Sequence, residues 1–168
     1  MMQYGNDEVA GWLDAMQQQL QNILTDGEAP LIIGIRTGGV DVARHLHSAL
    51  GFDEPFGELN ISFYRDDFST VGLHPVVGPS HVPGSVEGRH IVLVDDVLST
   101  GRTVRAAMNE VFDFGRPARI TLAVLVQRAG HELPIRADII GHTLDIAEDQ
   151  HVSLDTASMT VSVGQKHQ

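Results

Sequence analysis

Apolar residues recur at helical spacing through Val9, Trp12, Leu13, Met16, Leu20, Ile23 and Leu24. That spacing predicts an amphipathic helix over Asp7–Leu24 whose stripe packs on a sheet, with Asp26-Gly27 as its stop. Leu31–Ile35 is a short continuous apolar run, the pattern of a parallel strand covered on both faces. It runs through Arg36-Thr37-Gly38-Gly39 into a second amphipathic helix, Val40–Leu50. Leu59–Tyr64 alternates as a strand and is followed by Arg65-Asp66-Asp67. From Phe68 to Gly88 periodicity fades among Gly, Pro, Ser and His, which predicts a flexible loop over about 65–90; in compact domains loops of this length are usually functional or disordered. Ile91–Val94 is the next buried strand, with Asp95-Asp96 at its end. Thr100-Gly101 opens a helix through Val104, Ala107, Met108, Val111 and Phe112, closed by Gly115 and Pro117. Ile120–Val126 is a further apolar strand, and Asp149–Gln168 alternates weakly as terminal strands.

Apolar strands alternating with helices imply right-handed βαβ units. The fold expected is α/β, a single domain over 1–168 with a mostly parallel twisted sheet flanked by helices. Ligands of such sheets sit beyond the carboxyl ends of the strands. Two of those ends carry chemistry, Arg36–Gly39 and Asp95–Thr103, so the site is expected between them.

Length changes this picture little: 168 residues and 18.2 kDa suit one domain that needs no disulfide or metal staple. Charge changes it more. Twenty-two acids against 11 basic residues, of which only Lys166 is a lysine, give a net charge of -11. Proteins that bind nucleic acid through phosphate neutralisation carry a basic surplus, so nonspecific binding of that kind is disfavoured. Cysteine is absent, which excludes a thiolate nucleophile or thiolate metal site. The nine histidines are scattered without ligand spacing. No run approaches a membrane span and residues 1–11 lack a signal-peptide layout, so the expected address is the cytoplasm, with no membrane partner.

Ile91–Thr103 reads IVLVDDVLSTGRT. An apolar strand delivers two adjacent carboxylates, and a Ser/Thr/Gly turn then opens a helix. Backbone N–H groups at a helix N-terminus, with the hydroxyls of Ser99, Thr100 and Thr103, suit a phosphate monoester. Gly101 permits close approach of the backbone. Asp95 and Asp96 can accept hydrogen bonds from vicinal sugar hydroxyls, so a five-carbon sugar phosphate fits the string. Thr100 can also serve as no more than a helix cap.

The string is similar to the phosphoribosyl-pyrophosphate signature of type I phosphoribosyltransferases. GIRTGGVDVARHL (Gly34–Leu46), ISFYRDD (Ile61–Asp67), VDDVLSTGRTVRAAM (Val94–Met108) and ELPIRAD (Glu132–Asp138) resemble, in order and spacing, one branch of that family. In that branch a pyrimidine-operon attenuation protein doubles as a uracil phosphoribosyltransferase. The matches span about residues 31–141.

The resemblance implies that uracil and phosphoribosyl pyrophosphate give UMP and pyrophosphate, with Mg²⁺ held through substrate oxygens near Asp95 and Asp96 and no metal ligand assigned outright. It assigns the ribose hydroxyls to Asp95 and Asp96, and the 5-phosphate to the loop Val97, Leu98, Ser99, Thr100, Gly101, Arg102 and Thr103. Arg36, Thr37 and Gly38 become the pyrophosphate loop, where family members often carry a strained or cis peptide. Arg36 and Arg65 would take up charge on the leaving group. Asp66 and Asp67 either stabilise the flexible loop, interact with the metal indirectly, or form a solvated turn. A small C-terminal hood, about 127–168, receives the base, with Arg128, Ile135 and Arg136 in its pocket; Arg136 and Asp138 alternatively form an ion pair.

Three departures stand out. Ser99 occupies a position that is usually tyrosine in the branch, Gln127 one that is commonly aspartate, and Ala129-Gly130-His131 a more basic stretch. Residues 1–30, which in the attenuators form a basic helix on the RNA-binding face, here hold no Lys or Arg and five acids: Asp7, Glu8, Asp14, Asp26 and Glu28. RNA is therefore disfavoured as a partner, although a nucleotide-sensing RNA-binding regulator stays open as the alternative function. Self-association into a homo-oligomer is expected, as in other small members of the family.

Overall fold

The computed structural model describes residues 2–61 and 80–166. Strands and helices follow in the order β1 (Met2–Tyr4), α1 (Asn6–Ile23), β2 (Leu31–Ile35), α2 (Gly38–Leu50), β3 (Gly57–Leu59), β4 (His90–Leu98), α3 (Arg102–Phe114), β5 (Arg119–Arg128), β6 (Ile139–Leu144), β7 (Gln150–Asp155) and β8 (Thr160–Gln165). Five strands form a fully parallel sheet in the order β3-β2-β4-β5-β6. The remaining three form an antiparallel sheet, β1-β8-β7. Among the described residues no helix is long and apolar enough to cross a membrane.

Successive side chains of a strand point to opposite faces, and the two cores follow from that alternation. Ile32, Val92, Val94, Ala123 and Leu125 pack with Val9, Leu13, Met16 and Leu20 of α1 and Val42, Ala43 and Leu46 of α2. Their neighbours Leu31, Ile33, Ile91, Leu93, Leu122 and Val124 pack with Val104, Ala107 and Val111 of α3 on the other face. Val152, Val161 and Val163 of the small sheet join the α1 core.

Most expected elements appear within a residue or two of their predicted bounds. The differences have physical reasons. β4 does not stop at the acids: it runs through Asp95 and Asp96 to Leu98, because Val97 and Leu98 pair with Val126 and Gln127 of β5. β3 ends at Leu59, so the strand expected over Leu59–Tyr64 begins earlier, and its residues from Ser62 on lie outside the described ones. β6 had no periodic signal, and it places residues 139–144 of the expected hood in the main sheet as its edge strand. The returning arm of the expected loop is tied down: His81 bridges Glu58, and Val86 is buried in the α3 core.

Candidate active site

The chain leaves β2 through α2 on one face of the sheet and leaves β4 through α3 on the other. Adjacent parallel strands whose connections diverge in this way open a crevice at their carboxyl ends. Both chemistry-bearing segments meet there, since β2 and β4 are hydrogen-bonded neighbours.

The meeting is close. A Cβ on Gly38 would lie 2.1 Å from Asp96 Oδ2, and one on Gly39 would lie 2.6 Å from the carbonyl oxygen of Val94 and 3.3 Å from Asp95 Oδ1. Only glycine allows the first turn of α2 to touch the acidic pair. Asp95 is buried at 5% exposure, and its Oδ1 accepts the Asp96 N–H at 2.8 Å. Asp96 Oδ1 accepts the Val97 N–H at 2.8 Å. Each carboxylate is thus oriented through one oxygen by the next backbone amide. The Arg36–Thr37 peptide is cis, at the place where the resemblance led to such a bond. The Arg36 N–H donates to the Leu59 carbonyl at 2.9 Å. Its guanidinium donates to Glu58 Oε2 from Nε at 3.2 Å and from Nη2 at 2.8 Å.

Across the crevice, α3 begins at Gly101 in the left-handed conformation, φ +92°. Its N-cap, Gly101, has no side chain to cap it and the first turn holds no acid, so the positive end of the helix dipole is offered to an anion. Thr100 Oγ1 accepts the Arg102 N–H at 3.2 Å, and the Thr100 carbonyl accepts the Glu132 and Leu133 N–H groups at 2.9 and 3.1 Å. Arg102 closes the same junction by donating to Glu132 Oε2 at 2.9 Å. The segment after β5 is therefore stapled to the 97–103 loop.

Beside that loop opens a cavity of about 680 Å³, lined by Leu98, Ser99, Gln127, His131, Ile135 and Arg136 among others. The three residues expected around the base fare differently. Ile135 and Arg136 line the cavity, and among the described residues Arg136 makes no ion pair. The pairing with Asp138 does not form; Asp138 Oδ2 accepts the Leu122 N–H at 2.9 Å instead. Arg128 also lines the cavity, but its guanidinium is committed to carbonyl oxygens of Ala129, Gln150 and Ala147. At 7% exposure it ties β5 to the β6–β7 connection. Gln127 lines the cavity directly.

Arg65, Asp66 and Asp67 lie outside the described residues. Sequence reasoning missed Glu58 and Glu132, the carboxylates that hold Arg36 and Arg102. Each is paired with a residue more than 20 positions away, and no local pattern encodes that.

At the opposite, amino-terminal end of the strands, Glu28 accepts the Thr25 N–H and hydroxyl, each at 3.0 Å, and faces His90 Nδ1 at 2.5 Å. The Thr25 amide and then His90 hold its carboxyl down at about 2. Arg89 likewise lowers the Glu54 carboxyl through their hydrogen bonds.

A family model described as phosphoribosyl transferase domain matches residues 7–157. The chain belongs to the phosphoribosyltransferase family. Within it, the chain belongs to the PyrR branch. It is 61% identical over 127 residues to the Bifunctional protein PyrR of Nitrosococcus oceani, covering 74% of this chain and 72% of that one. To the protein of the same name in Pseudomonas paraeruginosa it is 55% identical, over 76% and 75% of the two chains. The purine phosphoribosyltransferase of Pyrococcus horikoshii superposes with a TM-score of 0.63 at 26% identity, over 83% and 84% of the chains. A hypoxanthine-guanine phosphoribosyltransferase of Bacillus anthracis superposes with a TM-score of 0.72 at 13% identity, over 96% and 95%, which speaks for the shared fold alone. The protein is a phosphoribosyltransferase.

Proposed function

We propose that this phosphoribosyltransferase joins the anomeric carbon of phosphoribosyl pyrophosphate to N1 of uracil, giving UMP and releasing pyrophosphate. The observation that carries the reading is the contact of the Arg36–Gly39 turn with Asp95 and Asp96 at one strand boundary, beside the open N-terminus of α3. A donor with a phosphate at one end and a pyrophosphate at the other needs two anion loops flanking a pair of hydroxyl acceptors. The loop 97–103 would take the 5-phosphate, Asp95 and Asp96 the ribose hydroxyls, and Arg36, Thr37 and Gly38 the pyrophosphate. The cavity bounded by Ile135 and Arg136 would receive the base, with Arg128 holding its wall rather than touching the base.

In this reading bond breaking to pyrophosphate leads, and positive charge develops on the ribose as negative charge grows on the leaving group. The acidic pair lies where the first charge develops, and Arg36 where the second does, so both act as preorganised electrostatics. Holding both reactants in one cleft supplies the rest through positioning. The oxygen donors of Asp95 and Asp96 suit a hard cation carried in on substrate oxygens. Mg²⁺, when bound there, would screen charge on the pyrophosphate.

Incubation with uracil, phosphoribosyl pyrophosphate and Mg²⁺ should give UMP, and chelator should stop it. Turnover of hypoxanthine or guanine but not uracil would refute the choice of base while keeping the chemistry.

A second reading, nucleotide-responsive RNA binding, has its own support. The PyrR relatives are named as bifunctional, which gives no support to the expectation that RNA is disfavoured. Basic side chains also exist away from the acidic residues 1–30: Arg105, Arg116 and Arg119 are exposed on α3 and just beyond it, and among the described residues none makes an ion pair. Salt-dependent binding of a pyrimidine-gene leader RNA, strengthened by UMP, would establish it.

A further inference from the structure

The cleft's anion loops contain Arg36, and a strong charge in a flexible side chain stabilises a leaving group only if it is already aimed. Glu58 binds it. Both Nε and Nη2 of Arg36 donate to the one oxygen Glu58 Oε2, at 3.2 and 2.8 Å, an arrangement that fixes the plane of the guanidinium as well as its place. The pair is half-buried, with side-chain exposures of 36% and 27%, so it is screened less than a fully exposed one.

Glu58 is itself held from both sides. It is the centre of β3, in register with Gly34 of β2, two residues before Arg36. On its other edge its N–H donates to the His81 carbonyl at 2.7 Å and its carbonyl accepts the His81 N–H at 2.8 Å. Gly57 beside it admits that strand closely, since a Cβ there would lie 3.1 Å from the His81 carbonyl oxygen. The carboxylate thus stands on backbone fixed by hydrogen bonds on both edges, whereas Arg36 stands at a strand-to-helix turn.

We propose that Glu58 is a positioning residue for pyrophosphate departure, acting through Arg36: it holds the guanidinium in the orientation that meets the charge growing on the leaving group. This rests on the reading of Arg36–Gly38 as the pyrophosphate loop. Losing the carboxylate removes the hydrogen bonds from Nε and Nη2 that orient the guanidinium, and the side chain then adopts many rotamers. The loss then falls on kcat more than on KM for phosphoribosyl pyrophosphate.

The test is a double-mutant cycle on UMP formation, with Glu58→Ala, Glu58→Gln, Arg36→Ala and the Arg36→Ala/Glu58→Ala pair. Folding is checked by circular dichroism, and inorganic pyrophosphate binding is measured by calorimetry alongside. Glu58→Ala is expected to lower kcat roughly 10-fold, the low end of what removing an orienting partner costs at comparably organised sites. Glu58→Gln keeps an acceptor without its charge and should fall between Glu58→Ala and the native chain. In the Arg36→Ala background Glu58→Ala should change nothing further, which a merely structural role would not produce. Additive losses in the cycle, or a folded Glu58→Gln and Glu58→Ala with native kcat, would overturn the role of Glu58. If instead Arg36→Ala leaves both kcat and pyrophosphate binding unchanged, the pyrophosphate-loop reading itself fails, and with it the basis of this proposal.

Discussion

At the scale of single residues, neighbours in the 95–103 string carry different demands. Asp95 and Asp96 each spend one carboxylate oxygen on the following amide, so asparagine can keep that bond through its side-chain carbonyl while losing the charge. Asp95→Asn with Asp96→Asn is expected to leave the melting temperature within a few degrees and lower kcat/KM by at least about 100-fold, the scale of losing a transition-state electrostatic contact. Steady-state kinetics and thermal denaturation read the two quantities separately. Thr100 has two jobs. Its hydroxyl accepts the Arg102 N–H and stands in the proposed phosphate loop, so Thr100→Val should raise KM for phosphoribosyl pyrophosphate and cost about 1 kcal/mol of stability, as loss of a helix cap does. Loss of stability with an unchanged KM would leave Thr100 as a cap alone.

At the scale of elements, the site is a junction between the start of α2 and the middle of β4. Gly38→Ala tests that junction, because its Cβ would sit 2.1 Å from Asp96 Oδ2 and must push either the turn or the acid away. The expected result is loss of about 100-fold or more in kcat/KM with a small change in stability, since a displacement of about 1 Å at a reacting geometry has costs of that order. Native kinetics in Gly38→Ala would mean that the turn and the acidic pair do not work together. This junction was half legible in the sequence. The two strings could be read because each packs its chemistry into consecutive residues, and the parallel-sheet rule brought their ends together. What could not be read depends on partners far apart in the chain. β4 continues through two acids of poor strand propensity because β5 pairs with it beyond them. β6 hid because Ile139-Ile140-Gly141-His142-Thr143-Leu144 neither alternates nor runs apolar. Gly141 breaks its pattern, and its glycine is required by the Leu125 carbonyl oxygen, 2.6 Å from where a Cβ would stand.

At the scale of the whole molecule, the proposed site and the supporting ties lie at opposite ends of the parallel sheet: the proposed site at the carboxyl ends, and at the amino ends the polar ties that hold the loops before β2 and β4. Glu28 is the clearest of these ties. Its carboxyl is ordinarily near 4.5 and is held at about 2 in the fold by the Thr25 amide and His90. A carboxyl lowered on folding contributes stability above its unfolded value and loses it as pH falls toward its folded one. Glu28→Gln should therefore lower the melting temperature at pH 7, and the gap to the native chain should narrow between about pH 4.5 and 2. A gap that persists unchanged at pH 2 would show that charge is not what Glu28 contributes. None of this should alter turnover at neutral pH, because the tie lies at the far end of the sheet from the cleft. The proposed cleft is best tested by a crystal structure of the protein with phosphoribosyl pyrophosphate and Mg²⁺. The 5-phosphate should lie within hydrogen-bond distance of the 99–103 loop, the ribose hydroxyls on Asp95 and Asp96, and the pyrophosphate at Arg36–Gly38. A sugar phosphate bound in the reverse sense, or away from the β2–β4 boundary, would contradict it.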